Sequence, residues 1–111
     1  MPASTPAHEA PRLSGVAFKE AWDCSYPPAV ESTDVLRINY DIHAVGRDGL
    51  YLVEELSHSG IAWRGCRRYR TNPITGDLEL DATGTGEWVN ASVASAWRIA
   101  GRVERVYRPV V

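Results

Sequence analysis

Lysine is almost absent from this sequence of 111 residues. Eleven of its twelve basic residues are arginine, and Lys19 is the single lysine. A reaction that needs a lysine side chain must therefore use Lys19 or be absent. Apolar runs are also short, and none approaches the roughly 18 consecutive apolar residues that a membrane-spanning helix needs. Because the N-terminus lacks the basic and then apolar run of a secretory signal, we expect a cytoplasmic protein without a membrane partner.

Cysteine, histidine and excess positive charge are scarce as well. Without a secretion signal, the two cysteines, Cys24 and Cys66, are expected to be reduced thiols. The histidines, His8, His43 and His58, are far apart and lack the spacing of metal ligands, so we expect no metal site and no cofactor. The net charge of −2 lacks the basic excess typical of nucleic-acid-binding domains, so we do not expect direct nucleic-acid binding.

The overall composition is that of a folded domain. Apolar residues make up 44% and charged residues 23% of the chain, close to the globular average. The length suits one domain. Residues 1–14 are rich in proline, alanine, serine and threonine without an apolar period, which predicts a flexible leader. The domain is therefore predicted to span residues 15–111.

Within this domain, β-forming segments alternate with turn residues. The predicted strands cover residues 34–39, 49–55, 61–70, 77–81 and 97–107. Residues 16–22 fit either a short strand or a helical turn, and residues 82–93, rich in small and polar residues, predict a loop. Short strands with turns about every ten residues are typical of an antiparallel β domain. The predicted fold class is therefore mostly β.

Two of the predicted strands show distinct faces, because side chains alternate across a strand. In the last strand, the core face is predicted to carry Trp97, Ile99, Gly101, Val103 and Tyr107. Its other face is predicted to carry Arg98, Ala100, Arg102, Glu104 and Arg108. In the strand 61–70, one face carries Arg64, Cys66, Arg68 and Arg70, opposite Trp63, Gly65, Arg67 and Tyr69.

Four segments in chain order carry a further pattern. They are residues 25–36 (SYPPAVESTDVL), 46–53 (GRDGLYLV), 65–70 (GCRRYR) and 99–108 (IAGRVERVYR). In the first, Ser25, Pro28, Val30 and Asp34 fall at the offsets of a Ser-Met-x-Pro-Thr-Leu-x-x-Gly-Asp-x-Leu motif. The others are similar to Asp-Gly-Ile-Tyr-Val-Val, Val-Lys-Arg-Leu and Ile-x-Gly-x-Val segments. Together they resemble the C-terminal domain of LexA and phage repressors, which belongs to the serine peptidase clan shared with signal peptidases.

The resemblance implies a mostly β domain that dimerises. In active members of the family, a neutral lysine activates a serine nucleophile, and the domain cuts its own chain in the preceding linker to release a DNA-binding half. Here Ser25 stands at the nucleophile position, and the lysine position falls on Cys66 or Arg67, depending on register. Arginine stays protonated and cannot act as a general base, and a thiol without a basic neighbour is a poor substitute. We therefore expect a vestigial active site and no peptidase activity.

The same alignment sets Cys24 and Cys66 beside the two positions of the catalytic dyad, so that the thiols can lie near each other. Reduced thiols remain the expected state. The 14-residue leader is too short for a helix-turn-helix, and it lacks the Ala-Gly or Cys-Gly dipeptide that the family cleaves. We expect either a stand-alone domain or a piece of a longer repressor-like protein.

The functional hypothesis is a non-catalytic domain for self-association as a homodimer, or for binding a regulatory protein partner, in a phage-related system of transcription regulation. Edge strands would form the dimer surface, and the strand 97–107 is the first candidate. The alternatives are a self-cleaving serine peptidase that uses Ser25 with an unusual base, and a small arginine-mediated nucleic-acid-binding protein.

An arginine cluster and one tryptophan are the candidate binding residues. The cluster comprises Arg64, Arg67, Arg68 and Arg70. It fits an anion-binding patch, but a turn at residues 72–76 also predicts a hairpin that pairs it with the acidic strand of residues 77–81. We favour the hairpin. Trp88 lies in a glycine-rich segment and is the tryptophan expected to be most exposed.

Overall fold

The computed structural model describes residues 12–110, which form one antiparallel sheet of seven strands. The strands are β1 (Val16–Glu20), β2 (Val35–Asn39), β3 (Gly49–Ser57), β4 (Gly60–Thr71), β5 (Leu78–Asp81), β6 (Trp88–Asn90) and β7 (Trp97–Tyr107). Their order across the sheet is β1-β2-β7-β3-β4-β5-β6. The predicted mostly β, antiparallel fold class is confirmed.

Most strand predictions agree with this sheet, and one segment differs. Of residues 16–22, which fitted two alternatives, Val16–Glu20 form the strand β1, and the last two residues lie in the turn that follows it. The loop predicted for residues 82–93 contains β6, which pairs with β5 through Leu80 and Val89, and a short 3₁₀ helix, Ala91–Ala94. A three-residue strand among small, polar residues has too little apolar alternation to be seen in the sequence. Of the predicted leader, residues 1–11 lie outside the described residues.

β7 occupies the middle of the sheet rather than an edge. It pairs with β2 through residues 102–107 and with β3 through residues 97–103. The prediction that this strand is an edge available for dimerisation is therefore wrong. The strand is long enough for its C-terminal half to pair with β2 and its N-terminal half to pair with β3. At residues 102 and 103, where the two paired ranges overlap, both sides of the strand are occupied.

Two β-bulges change the faces of β7. Leu52 pairs with Gly101 whereas Val53 pairs with Ile99, which leaves Ala100 as an extra residue. A second register shift, against β2, makes Glu104 extra. Side chains alternate between the two faces of a sheet, and a bulge reverses this alternation for the residues beyond it. Ile99 and Gly101, on either side of the bulge at Ala100, therefore do not lie on one continuous face. The prediction of a single alternating pattern is wrong for this strand.

The core consists of two clusters of buried side chains, separated by the sheet. The front cluster comprises Ala21, Cys24, Tyr26, Val30, Leu36, Ile38, Tyr40, Leu52, Cys66, Ala100 and Val103. The back cluster is built on Tyr51, Val53, Tyr69 and Leu80, with Trp63, Trp97 and Ile99 packed against them. Residues 21–30, which follow β1, supply four members of the front cluster. They cover the face of the sheet that carries Cys66, one of the two residues at the predicted lysine position.

Candidate functional site

Ser25 and the two residues at the lysine position have very different environments. Ser25 is exposed, and its side chain has no hydrogen-bond partner among residues 12–110. Cys66 is fully buried in the front cluster. Arg67 stacks on aromatic rings, with its Cζ atom 5.1 Å from the centre of Trp63 and 5.2 Å from that of Tyr26. Within residues 12–110, no hydrogen bond joins the Ser25 hydroxyl to a group that could act as its base.

The residue next to Ser25 lies in the same buried cluster as the lysine position. Cys24 and Cys66 are both buried members of the front cluster. Cys24 lies in the turn after β1, where its backbone N–H donates to the carbonyl oxygen of Ala21 at 3.1 Å. Cys66 lies on β4, where it pairs with Leu52 of β3. Both cysteines are free.

The two thiols differ in acidity. The hydrogen bond from Cys66 lowers the pKa of Cys24, and the positive charge of Lys19 acts in the same direction, although burial opposes both. The same hydrogen bond and burial raise the pKa of Cys66.

The single lysine is part of an ion-pair network rather than a partner of Ser25. The Nζ atom of Lys19 lies 2.7 Å from Oδ1 of Asp23, and Nη1 of Arg64 donates to Oδ2 of Asp23 at 2.8 Å. Burial raises the pKa of Asp23, but the bonds from Lys19 and Arg64 outweigh it and leave that pKa below its usual range. Lys19 thus serves as the cation of an ion pair.

The network continues to a buried glutamate. Arg64 donates to Oε2 of Glu54 through Nε at 3.2 Å and Nη2 at 3.0 Å. Arg98 donates from Nε to Oε1 of the same carboxylate at 3.0 Å. Glu54 is only 5% exposed, so two arginines neutralise a charge that would be costly to bury alone. Arg64 thereby ties the turn that carries Asp23 to β3 and β4.

The predicted hairpin between the arginine-rich and acidic strands is present, but only part of it is an ion-pair ladder. Arg70 donates from Nε to Oε1 of Glu79 at 2.9 Å. Arg68 faces Asp81 in the register, yet the Asp81 carboxylate accepts backbone N–H groups of the loop that follows it. Arg68 is exposed, and Arg64 has the separate partners described above.

Trp88 is half-buried, whereas Trp22 is 70% exposed, so the prediction that Trp88 is the most exposed tryptophan is wrong. The guanidinium of Arg70 lies over the Trp88 ring, 4.3 Å from its centre. The pairing of β6 with β5 holds the ring there. Trp22 instead follows β1 in an open turn.

β1 forms an open edge with an apolar face, which the sequence did not lead us to expect. Within residues 12–110, β1 pairs with β2 on one side and with no strand on the other. Phe18 is 65% exposed, Val16 49% and Tyr107 42%. The rings of Phe18 and Tyr107 lie 6.0 Å apart. The alternating apolar residues of the VAFKE segment are the signal that could have revealed this edge.

Residues 12–110 contain no cluster of three or more histidine, cysteine or acidic side chains placed to hold a metal ion. The same residues contain no helix of the length and apolarity needed to cross a membrane.

Comparisons of this chain with protein-family models, curated protein sequences and solved structures give no match. The likeness to LexA and phage repressors therefore depends on the four sequence segments alone.

Proposed function

We propose that this chain is a non-catalytic domain of the LexA and phage-repressor C-terminal type. It forms a homodimer through β1 and acts in a phage-related regulatory system. The observation that carries the proposal is the unpaired edge of β1 with its exposed apolar face. An exposed, apolar edge strand is a ready template for another strand, and a second copy of the chain supplies a matching one.

The backbone hydrogen bonds identify which groups of β1 are free. Ala21 donates its N–H to the carbonyl of Asp34, and Tyr40 donates to that of Gly15. Hydrogen-bonded and non-bonded pairs alternate along an antiparallel ladder. The backbone groups of Ala17 and Lys19 therefore point toward β2, and those of residues 16, 18 and 20 point away from the sheet.

These outward groups are self-complementary under two-fold symmetry. An antiparallel pair of β1 strands centred on Phe18 sets Val16 opposite Glu20, and Ala17 opposite Lys19, of the other copy. Like charges then do not face each other directly, and the exposed Phe18 rings meet near the axis. A closed, isologous interface of this kind is the commonest form of homodimer.

The other end of the sheet is a weaker candidate. β6 has only three residues and leads directly into the 3₁₀ helix. Short edge strands are one of the ways in which proteins avoid edge-to-edge pairing. β1 has five residues and the more exposed apolar face, so it supports the larger interface.

The non-catalytic part of the proposal is supported by the environment of Ser25. The hydroxyl makes no hydrogen bond to any of residues 12–110, and Lys19 is paired with Asp23. Intact-mass spectrometry after incubation at alkaline pH tests this point, with Ser25→Ala as control. We expect no Ser25-dependent fragment, and the appearance of one would make the chain a peptidase.

Light scattering coupled to size exclusion tests the homodimer. Phe18→Arg places two like charges at the two-fold axis, and we expect it to raise the dimer dissociation constant at least about tenfold, since central aromatic residues dominate interface energetics. Ile74→Arg is the matched control, because Ile74 is 91% exposed in the β4–β5 turn and lies far from β1. A wild-type chain that stays monomeric at high concentration, or a Phe18→Arg variant that dimerises as tightly as wild type, contradicts the proposal.

A further inference from the structure

A cavity of about 220 Å³ lies beside Ala100, a member of the front cluster. Four of its lining residues are charged, namely Arg12, Arg64, Arg98 and Glu54, and the others are apolar. None of its lining residues belongs to β1, so the proposed homodimer makes no use of the cavity.

Positive charge exceeds negative charge at this cavity. Its lining contains three guanidiniums, those of Arg12, Arg64 and Arg98, and the single carboxylate of Glu54, which leaves an excess of two positive charges. The ion pair beyond Arg64, between Asp23 and the single lysine, adds one charge of each sign and does not alter this excess. An anion that enters the cavity therefore meets a net positive field, even though Glu54 is present.

The arginines retain N–H donors for a ligand. A guanidinium has five N–H groups. Within residues 12–110, Arg64 uses three of its donors, all on the two carboxylates described above. Arg12 uses one, from Nη1 to the carbonyl oxygen of Ile99 at 2.9 Å. The remaining N–H groups suit a carboxylate, because its two oxygens match the fork of a guanidinium.

The other walls of the cavity are apolar. Leu13 and Ile61 are exposed, and both lie across the opening from the buried Ala100 or beside it as lining residues. A short alkyl chain placed among these side chains would remove apolar surface from water, which is favourable in proportion to the area buried. A volume of 220 Å³ corresponds to about seven water-sized groups. The cavity thus suits a small molecule with one charged end and a short apolar tail.

We propose that this cavity is a binding site for a small aliphatic monocarboxylate. The carboxylate of the ligand binds the guanidiniums of Arg12 and Arg64, and its alkyl chain packs against Leu13, Ile61 and Ala100. A ligand of this class uses both parts of the cavity, whereas inorganic phosphate or acetate would use the guanidiniums alone.

Titration of the isotope-labelled wild-type chain with hexanoate, followed by NMR at low ionic strength, tests the site. We expect saturable binding with a Kd below about 10 mM, and shifts centred on the Arg12 and Arg64 side chains and on the amides of Leu13 and Ile61. Acetate lacks the tail and hexanol lacks the charge, so each should bind at least about tenfold more weakly, since one buried methylene contributes about fourfold. A hexanoate Kd above about 10 mM, shifts centred elsewhere, or equal binding of acetate or hexanol would overturn the proposal.

Two pairs of variants test the two ends of the ligand. Arg12→Met is expected to weaken hexanoate binding about threefold or more, and this loss should shrink at high salt. Leu13→Ser is expected to weaken it by a similar factor through the loss of apolar contact. Arg47→Met and Ile74→Ser are the matched controls, and all four side chains are exposed, so the fold should be retained. Either test variant that binds hexanoate as tightly as its control contradicts the proposal.

Discussion

Arg64, Arg67 and Arg70 lie on one stretch of β4, yet each guanidinium has a different kind of neighbour. Arg64 binds two carboxylates, Arg67 lies among aromatic rings, and Arg70 joins a carboxylate to the Trp88 ring. A planar, permanently charged group suits all three settings, which a lysine would fill less well. The scarcity of lysine therefore fits a scaffold built on arginine contacts.

Arg64→Met tests the ion-pair network at the scale of one residue. We expect the free energy of unfolding to fall by about 1–3 kcal/mol, because Glu54 loses two of its charge-assisted bonds and Asp23 loses its link to β4. Arg47→Met, in an exposed loop, should change it by less than about 0.5 kcal/mol. Urea denaturation of both variants supplies the comparison, and equal effects would remove the structural role of the network.

Asp34 is a second residue whose charge matters. Its buried carboxylate accepts bonds from Nε and Nη2 of Arg108 at 3.1 and 2.8 Å, and from the N–H of Glu31. The Arg108 bonds outweigh burial and lower the pKa of Asp34. A carboxyl whose pKa is lowered by folding stabilises the protein above its unfolded pKa, about 3.9, and loses that contribution as pH falls through the lower native value.

Asp34→Asn should therefore lower Tm at pH 7 by roughly 4–8 °C, and the difference from wild type should shrink as the pH falls well below 4. Thermal melts from pH 7 to pH 2 measure this, with the exposed Asp77→Asn as control. If the two variants melt alike at pH 7, Asp34 does not hold the C-terminal end of the domain. The motif identified Asp34 as a notable position, but its partner Arg108 is too distant in the sequence to be inferred.

At the scale of elements, β7 shows what a sequence can and cannot predict. Its bounds are predictable because the segment of eleven residues is rich in β-forming side chains and contains no proline. Its central position and its faces were not, because they depend on pairing with β2 and β3 and on the bulges at Ala100 and Glu104. Pairing partners and bulges are long-range features that no local pattern records.

The candidate site shows the same division. The motifs identified Ser25 and Cys66 as positions of interest, and the fold places Cys24 and Cys66 in the same buried cluster. The sequence did not reveal that Cys24 rather than Ser25 is buried, since that depends on how the turn after β1 packs. It also did not reveal the partners of Arg64, which come from two other parts of the chain.

The loop that joins β5 to β6 is organised by one carboxylate. Asp81 accepts N–H groups of Thr83, Gly84, Gly86 and Glu87. The bonds fold the loop over the carbonyl oxygen of Pro27, which would lie 2.5 Å from a Cβ atom on Gly84. The loop thus packs against the segment that carries Cys24 and Ser25.

A pair of glycine substitutions separates crowding from backbone strain in this loop. Gly84 and Gly86 both have positive φ, +84° and +92°, but a Cβ atom on Gly86 would meet nothing within 4 Å. Gly86→Ala should cost about 1–2 kcal/mol for its φ alone, and Gly84→Ala about 1–3 kcal/mol more for the close contact. Chemical denaturation measures both, and equal costs would show that the loop does not press on Pro27.

At the scale of the whole molecule, the sheet has two covered faces and one open end. The front cluster is sealed by residues 21–30, and the back cluster by the 3₁₀ helix and residues 42–45. Beyond both clusters, Phe18 and Tyr107 stay exposed beside an unpaired edge. In the proposed homodimer, a second copy of the chain covers these side chains and satisfies the backbone groups in the same step.

Amide hydrogen exchange at rising protein concentration tests the proposed homodimer most directly. The N–H groups of Val16, Phe18 and Glu20 point away from β2, and they should become protected as the dimer forms. Those of Ala17 and Lys19 already bond to β2 and should change far less. This alternation in protection along β1 is the result that the account predicts. Exchange at residues 16, 18 and 20 that does not vary with concentration, or protection that appears along β6 instead, would contradict it.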